Sequence, residues 1–201
     1  MTAMEVTHSL TAQEIDVIVD RLKPVCRTIA DAQPSRRARL IKPMLSYDAA
    51  AVALSFIPAA GEYLSNSTDR TAEDDKYSYH EHRRDLHAAI SRSGVLVASR
   101  YVVPSAHLTI ARFNSANVFG GGEGLQDVDA GRQMSKRERW VQELETINQW
   151  LEREFWSEND GGKIEAGGEW LIGDEKGLDF RKGTLWYGGG ETVYLGKGID
   201  V

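Results

Sequence analysis

The chain has 201 residues, 41% hydrophobic and 27% charged, a balance that suits a packed core and excludes a disordered chain. Its 24 basic and 30 acidic residues leave a net charge of −6. That argues against broad, sequence-independent binding to long nucleic acid, but leaves room for a small phosphorylated ligand held by a few local groups. The length favours one domain or two small lobes sharing a core. No run of about 18 apolar residues predicts a membrane span, and the N-terminus lacks the basic and apolar regions of a secretory signal. The one cysteine, Cys26, cannot form an intramolecular disulfide, which points to a reducing, cytoplasmic setting. It sits among helical apolar positions and reads as a buried small residue.

In chain order, Met1–Val6 reads as a short strand. Thr11 and Glu14 form a capping box. Ile15, Ile18, Leu22, Val25 and Ile29 follow at helical spacing, and Pro24 should kink or end that helix. Pro34–Arg37 is a connection. Arg39–Tyr47 and Ala50–Ile57 read as strands joined in a hairpin at Tyr47-Asp48-Ala49, with Pro43 marking an edge or a bulge. Pro58–Asp75 is a polar loop. A helix follows, with Asp74 and Asp75 favouring its N-terminus, Tyr79, Arg83, Leu86 and Ile90 on one face, and Gly94 at its stop. Val95–Val103 and Ala106–Phe113 are strands broken at Pro104.

The glycine-rich stretch Gly120–Gly124 reads as a loop. Ser135 and Glu138 form a second capping box, before a helix with Val141, Leu144, Ile147, Leu151 and Phe155 as its apolar stripe. Asn159–Gly162 ends it. The remainder holds short β segments at Trp170–Ile172, Thr184–Tyr187 and Thr192–Leu195, the last two joined by Gly188–Gly190. The order of elements is that of an α+β chain, and suits two lobes related by approximate symmetry.

Within Ser105–Phe113, alternation places His107 and Thr109 on one face and Leu108 and Ile110 on the other. A proton-transfer group beside a hydroxyl donor on a rigid strand can grip a phosphate. The same alternation puts Arg112 opposite His107. His80, His82 and His87 lack the i, i+4 spacing of a helical zinc site and read as a solvated helix face. Tyr77 and Tyr79 either line a base-binding groove or pack the core. The five tryptophans, 140, 150, 156, 170 and 186, read as core or lobe-interface residues. Gly120–Gly124 is followed by no G-K-[ST] and is not a P-loop. No K-x-D-G motif for nucleotidyl transfer is present.

His107-Leu108-Thr109-Ile110 resembles the second signature of the two-histidine (HxTx) phosphoesterases. Its flanks, Arg100–Ala106 and Ala111–Phe113, resemble fungal proteins labelled RNA ligase/cyclic nucleotide phosphodiesterase. So do Gly168-Glu169-Trp170, Glu175–Asp179 and Arg181–Gly190. The resemblance implies a single bilobal α+β domain over residues 1–201. Two antiparallel sheet lobes would flank a central groove, with helices packed outside and one HxT strand from each lobe.

It also implies metal-free, cofactor-free opening of a 2′,3′-cyclic phosphate, or cleavage of a phosphodiester, on a small nucleotide or RNA end. One histidine acts as general base and the other as general acid, while the threonines hold phosphoryl oxygens. An imidazole with a pKa near 6.5 suits either role near neutral pH. On this basis His107 and Thr109 are catalytic, Thr2 binds the phosphate, and Tyr101 is a candidate for stacking on a base.

The first signature of such proteins precedes the first helix. Here Met1-Thr2-Ala3 aligns with its x-T-x, and the histidine would fall immediately before Met1, outside this sequence. His8 lies past the strand and reads as a surface residue. The expectation is therefore a phosphoesterase-type domain impaired by the missing histidine. The alternative is a non-catalytic nucleotide- or RNA-end-binding module, or an inactive remnant.

Overall fold

Helix α1 (Ala12–Asp31) starts where the capping box places it. The Glu14 carboxylate accepts from the Thr11 amide at 2.8 Å, and the Thr11 hydroxyl accepts from the Glu14 amide at 3.3 Å. The computed structural model describes residues 1–31, 37–62, 64, 70–99, 105–114, 136–156, 167–184 and 190–198. The expectations for Pro34–Arg36, Tyr101, Gly120–Gly124, Ser135, Asn159–Gly162, Trp186 and Gly188–Gly189 lie outside these residues, as does most of the segment Thr184–Tyr187.

α1 runs through Pro24, so the proline does not end the helix. Pro24 sits on the exposed side, so the carbonyl it leaves without a helical partner faces water. The apolar face on either side of it, with Val19, Leu22, Cys26 and Ala30 buried, keeps the helix docked.

Among the described residues there are two antiparallel sheets. One has the order β3–β2–β1–β4, from β1 (Arg39–Tyr47), β2 (Ala51–Pro58), β3 (Ala106–Arg112) and β4 (Glu169–Leu171). The other pairs β5 (Lys176–Lys182) with β6 (Glu191–Lys197). The β1–β2 hairpin turns as expected, with Asp48 Oδ1 accepting from the amides of Ala50 and Ala51 at 2.7 and 2.8 Å. Pro43 marks a bulge rather than an edge: the β1–β2 register shifts between Ile41 and Met44, and Lys42 takes a φ of 55°. β1 lies inside the sheet, and β4 pairs only with Arg39–Ile41, so Pro43 leaves no ladder bond unmade.

Helix α2 (Tyr79–Arg92) buries Tyr79, Arg83, Leu86 and Ile90 as expected, and Gly94 follows it at φ 79°. Two expectations here are corrected. Asp74 and Asp75 sit in a separate 3₁₀ turn (Asp74–Lys76), while Ser78 caps α2 and its amide donates to Glu81 at 2.8 Å. His82 belongs to the buried face, at 0% exposure, because it follows Tyr79 by three residues and precedes Leu86 by four. Its ring lies against Tyr77 and Tyr79, and neither ring nitrogen has a hydrogen-bond partner. His80 and His87 are exposed, as expected.

Met1–Val6 is not a strand. Its backbone meets the 95–99 segment at one hydrogen bond, Ala98 N–H to Val6 O at 2.8 Å. Residues 95–99 likewise form no strand. One such bond is too few for a ladder, so the two segments are held by side chains instead. Met4, Val6, Val95 and Val97 pack with Leu22, Cys26, Ile90, Phe180 and Tyr194.

β5 is a strand that the sequence reading did not anticipate, with Leu178 and Phe180 as its partly buried apolar residues. α1 rests on the β5–β6 hairpin so closely that glycine is required. A Cβ on Gly196 would meet the Ala30 carbonyl at 2.5 Å, and one on Gly177 would meet it at 2.7 Å. Asp31, at the end of α1, takes the Tyr194 hydroxyl and the Lys197 amide, each at 2.9 Å.

Helix α3 (Lys136–Phe155) buries Leu144 and Leu151 against Leu45 and Val52. Ile147 is 40% exposed rather than part of the stripe. The inward position is Asn148, whose amide accepts from Leu45 N at 2.6 Å and donates to Leu45 O at 3.0 Å. It covers the edge of β1 that β4 leaves unpaired. Trp140 and Trp170 pack in clusters as expected, whereas Trp150 is 45% exposed.

A buried ion pair joins these parts. Arg39, on β1, donates to both oxygens of Asp75, the shortest contact being 2.6 Å, and both side chains are almost fully buried. Asp75 also accepts from Arg70 Nε at 2.9 Å and from Gly61 N at 3.0 Å. Burial pushes the Asp75 carboxyl up, but the hydrogen bonds from Arg39 and Arg70 outweigh it and hold the group below the ordinary carboxylate value.

Two stability predictions follow from these buried groups. Asp75→Asn leaves two arginines without their shared anion and should cost about 3–5 kcal/mol in urea unfolding. Burial holds the His82 imidazole down at about 4, against an unfolded value of 6.5. The unfolded chain therefore takes up this proton first as pH falls. Stability present above pH 6.5 should decline by about 3 kcal/mol toward pH 4. His82→Phe should flatten that limb, while loss through Asp75 begins only below its unfolded value, at more acidic pH.

Candidate functional site

The sheet register decides which side chains share the face of His107. On β3, His107 is opposite Ser55, Leu108 opposite Leu54, and Thr109 opposite Ala53. Directly opposed residues in an antiparallel pair project to the same side. His107, Thr109, Ser55 and Ala53 therefore lie on one face. Ala106, Leu108, Leu54 and Phe56 lie on the other, where Ala106 and Phe56 pack with Leu40 and Tyr79. The strand thus brings His107 and Thr109 together as the alternation predicts. His107 is half-buried and Thr109 exposed.

Arg112 departs from expectation. The register shifts between Val52 and Ala53, so that Ala111 opposes Val52 and Arg112 opposes Ala51. Ile110 is the extra residue, a β-bulge, and it is 61% exposed. Ala51 has the parity of Ala53 and Ser55 on β2. Arg112 is therefore on the His107 face, and the strict alternation that placed it opposite His107 is overturned. Phe113 correspondingly turns to the α3 side, where it meets Trp140 edge-on with ring centroids 6.0 Å apart.

Ser105 Oγ lies 3.0 Å from His107 Nδ1. A hydrogen bond at Nδ1 sets the orientation of the ring, and Nε2 is the nitrogen that Ser105 does not engage. On β1, Ser46 opposes Ala53, and its hydroxyl oxygen is 2.6 Å from that of Ser55. The face of β1–β2–β3 therefore carries an imidazole, three hydroxyls and a guanidinium. Ala51 and Ala53 between them add little height. Ser55, Ser46 and the position of Arg112 were not found from the sequence. Their membership depends on pairing with distant strands, and no local motif reports it.

Thr2 is exposed at the N-terminus, and its carbonyl lies 3.5 Å from the Tyr79 hydroxyl. The next carbonyl, that of Ala3, accepts from Arg83 at 2.9 Å. Met1 packs in the cluster that contains Ala106, which brings the N-terminal segment to the start of β3. That contact is on the Ala106 side of the strand, whereas His107 projects to the other. His8 Nδ1 lies 3.0 Å from Ser9 Oγ beside the start of α1, as a surface residue would. Tyr101 is outside the described residues. Among the described residues, no group of three or more His, Cys, Asp or Glu side chains could hold a metal ion, and no helix is long and apolar enough to cross a membrane.

Comparison with protein-family models, with curated proteins and with solved structures finds no match to this chain.

Imidazole, hydroxyl and guanidinium groups are all able to donate hydrogen bonds to an anion. Inorganic phosphate should shift the side-chain nitrogen resonances of both His107 and Arg112 in an NMR titration, and Arg112→Ala should weaken binding about 10-fold, since a hydrogen bond to a charged group contributes about 1.5 kcal/mol or more. Strict alternation across Ile110 would instead leave Arg112 unmoved.

Proposed function

We propose that this chain is a two-histidine-type phosphoesterase domain that engages a cyclic phosphate or phosphodiester of a nucleotide or RNA end. The observation that carries the reading is the shared face of His107 and Thr109, with Ser55 beside them and Arg112 farther along the same face. Two sheets, each packed with a helix of its own, suit the two-lobed arrangement that the sequence resemblance implies.

In the reaction, water attacks phosphorus and the bond from phosphorus to one ribose oxygen breaks. The attacking water loses a proton and the leaving oxygen gains one. His107 performs one of these transfers through Nε2. Thr109 donates its hydroxyl proton to a phosphoryl oxygen, where negative charge gathers in the transition state. By resemblance Thr2 would be a second phosphate-binding threonine, but its segment meets β3 on the Ala106 side, so in this reading Thr109 carries the phosphate contact. Arg112 supplies a positive charge at the rim.

The second reading is a non-catalytic module that binds a nucleotide or RNA end. It is favoured by one specific feature: the sequence contains a single H-x-T, at His107–Thr109, and hence one of the two acid/base groups.

The two readings separate in one assay series. The purified chain is offered adenosine 2′,3′-cyclic monophosphate in the presence of EDTA. The enzyme reading expects turnover that His107→Ala lowers about 10²–10⁴-fold and Thr109→Ala lowers about 10-fold or more. Turnover unchanged in His107→Ala would sink it. No turnover, with binding of adenosine 2′-monophosphate that depends on His107, would favour the binding module.

A further inference from the structure

Two serines on the His107 face belong to no motif. Ser55 is the cross-strand partner of His107, which puts their Cβ atoms about 4.5–5.5 Å apart. Ser46 lies diagonally beyond it on β1, and the two hydroxyl oxygens are 2.6 Å apart, a short O–H···O contact. Ser46 Oγ also donates to the Ala53 carbonyl at 3.5 Å, a weaker alternative to the contact with Ser55. Ser46 is exposed and Ser55 partly so. β2 is paired on both sides here, to β1 and to β3, so the backbone that carries Ser55 is fixed.

The geometry points to Ser55 as a further phosphoryl-oxygen ligand, with Ser46 as the residue that positions it. This rests on the reading of His107 and Thr109 as a phosphate site. A hydroxyl has one proton to give. When a phosphoryl oxygen accepts the Ser55 proton, the Ser55 oxygen is left as an acceptor, and Ser46 is already in place to donate to it. When Ser46 gives its proton to Ser55 rather than to the Ala53 carbonyl, the Ser55 O–H turns away from β1 and toward β3. The same donation also strengthens that O–H as a donor, because hydrogen bonds in a chain polarise one another.

The spacing suits one tetrahedral group. Thr109 stands roughly 7 Å from His107 along β3, and Ser55 stands about 5 Å from His107 across the sheet. A phosphate with hydrogen-bond reach of about 2.7 Å on each side spans that triangle. Ala51, opposite Arg112, is half-buried and carries only a methyl above β2, whereas Ala53, opposite Thr109, is itself buried. Neither serine packs in the hydrophobic clusters, so core packing does not account for the pair.

The test uses the two diastereomers of adenosine 2′,3′-cyclic phosphorothioate with the wild-type chain, Ser55→Ala, Ser55→Thr, Ser46→Ala and His107→Ala. A hydroxyl that touches one non-bridging oxygen makes sulfur at that position the unfavourable substitution. Ser55→Ala should therefore lower kcat/KM for the oxygen substrate about 100-fold and shrink the diastereomer ratio. Ser55→Thr should restore most of both. Ser46→Ala should change the ratio in the same direction by less. Thermal midpoints within about 2 °C of wild type exclude a merely structural effect.

A ratio and a kcat/KM unchanged in Ser55→Ala, while His107→Ala abolishes turnover, would overturn the role of Ser55 and leave the site standing. Where the wild-type chain turns nothing over, the same variants are titrated with adenosine 2′-monophosphate. Binding weakened about 10-fold in Ser55→Ala supports the inference. Binding unaffected by Ser55→Ala overturns it alone, and no binding by the wild-type chain overturns it together with the phosphate-site reading.

Discussion

The placement of the candidate site depends on the buried pair of Arg39 and Asp75. Arg39 is on the interior strand β1, and it reaches Asp75 in the turn before α2, Glu169 on β4 and the Glu62 carbonyl after β2. One side chain therefore holds the entrance of α2 against the sheet. Tyr79 opens α2, and it packs with Leu40 of β1 and Ala106 of β3. Ala106 immediately precedes His107. The position of the imidazole is thus traced, contact by contact, to an ion pair on the far strand of the hairpin. A buried pair of this kind adds little net stability over apolar residues of similar volume, because desolvation offsets most of the attraction. What it contributes is directionality, since a forked guanidinium accepts few orientations of its carboxylate.

What could be read in the sequence is what local chemistry decides. The Thr11–Glu14 box, the Asp48 turn, the buried face of α2 and the glycine after it need only neighbours within a few residues. Pro43 announces its bulge because proline cannot donate to a ladder. The Ile110 bulge carries no such marker. It becomes visible only when β3 is laid against β2, and with it the true face of Arg112. The same holds for Asn148 and the Arg39–Asp75 pair. Each is a polar residue whose role is set by a partner or a packing face outside its own segment. β5 escaped notice because glycine and charge interrupt its alternation, and its apolar residues Leu178 and Phe180 are completed by α1 and the N-terminal segment rather than by its own strand.

The two bulges have different physical origins. The shift at Lys42–Pro43 follows from covalent structure. The shift at Ile110 follows from packing on the opposite side of the sheet. With the extra residue, Phe113 reaches Trp140 and the cluster of Leu45, Val52 and Leu144, and its amide donates to the Ala50 carbonyl at 2.9 Å. Without it, Phe113 would face the His107 side and Arg112 would be driven toward the α3 core. Leaving Ile110 61% exposed is the unfavourable part of this exchange, offset by burial of a larger ring and by keeping a guanidinium in water.

This distinction bears on how the polar face is interpreted. Arg112 arrives on the His107 face as a consequence of where Phe113 must go, so its presence there is explained by the core alone. Ser46 and Ser55 have no comparable explanation. An exposed strand face is served equally well by threonine, valine or a charged residue. Here two short hydroxyls meet at 2.6 Å on the residue directly opposite His107. Ordering two exposed side chains against each other costs rotamer entropy, which a single solvent-exposed hydrogen bond barely offsets. The pair is better accounted for by what it does to a third group. Of the side chains on this face, Ser55 is accordingly the one whose substitution discriminates between an ordinary strand surface and a phosphate site.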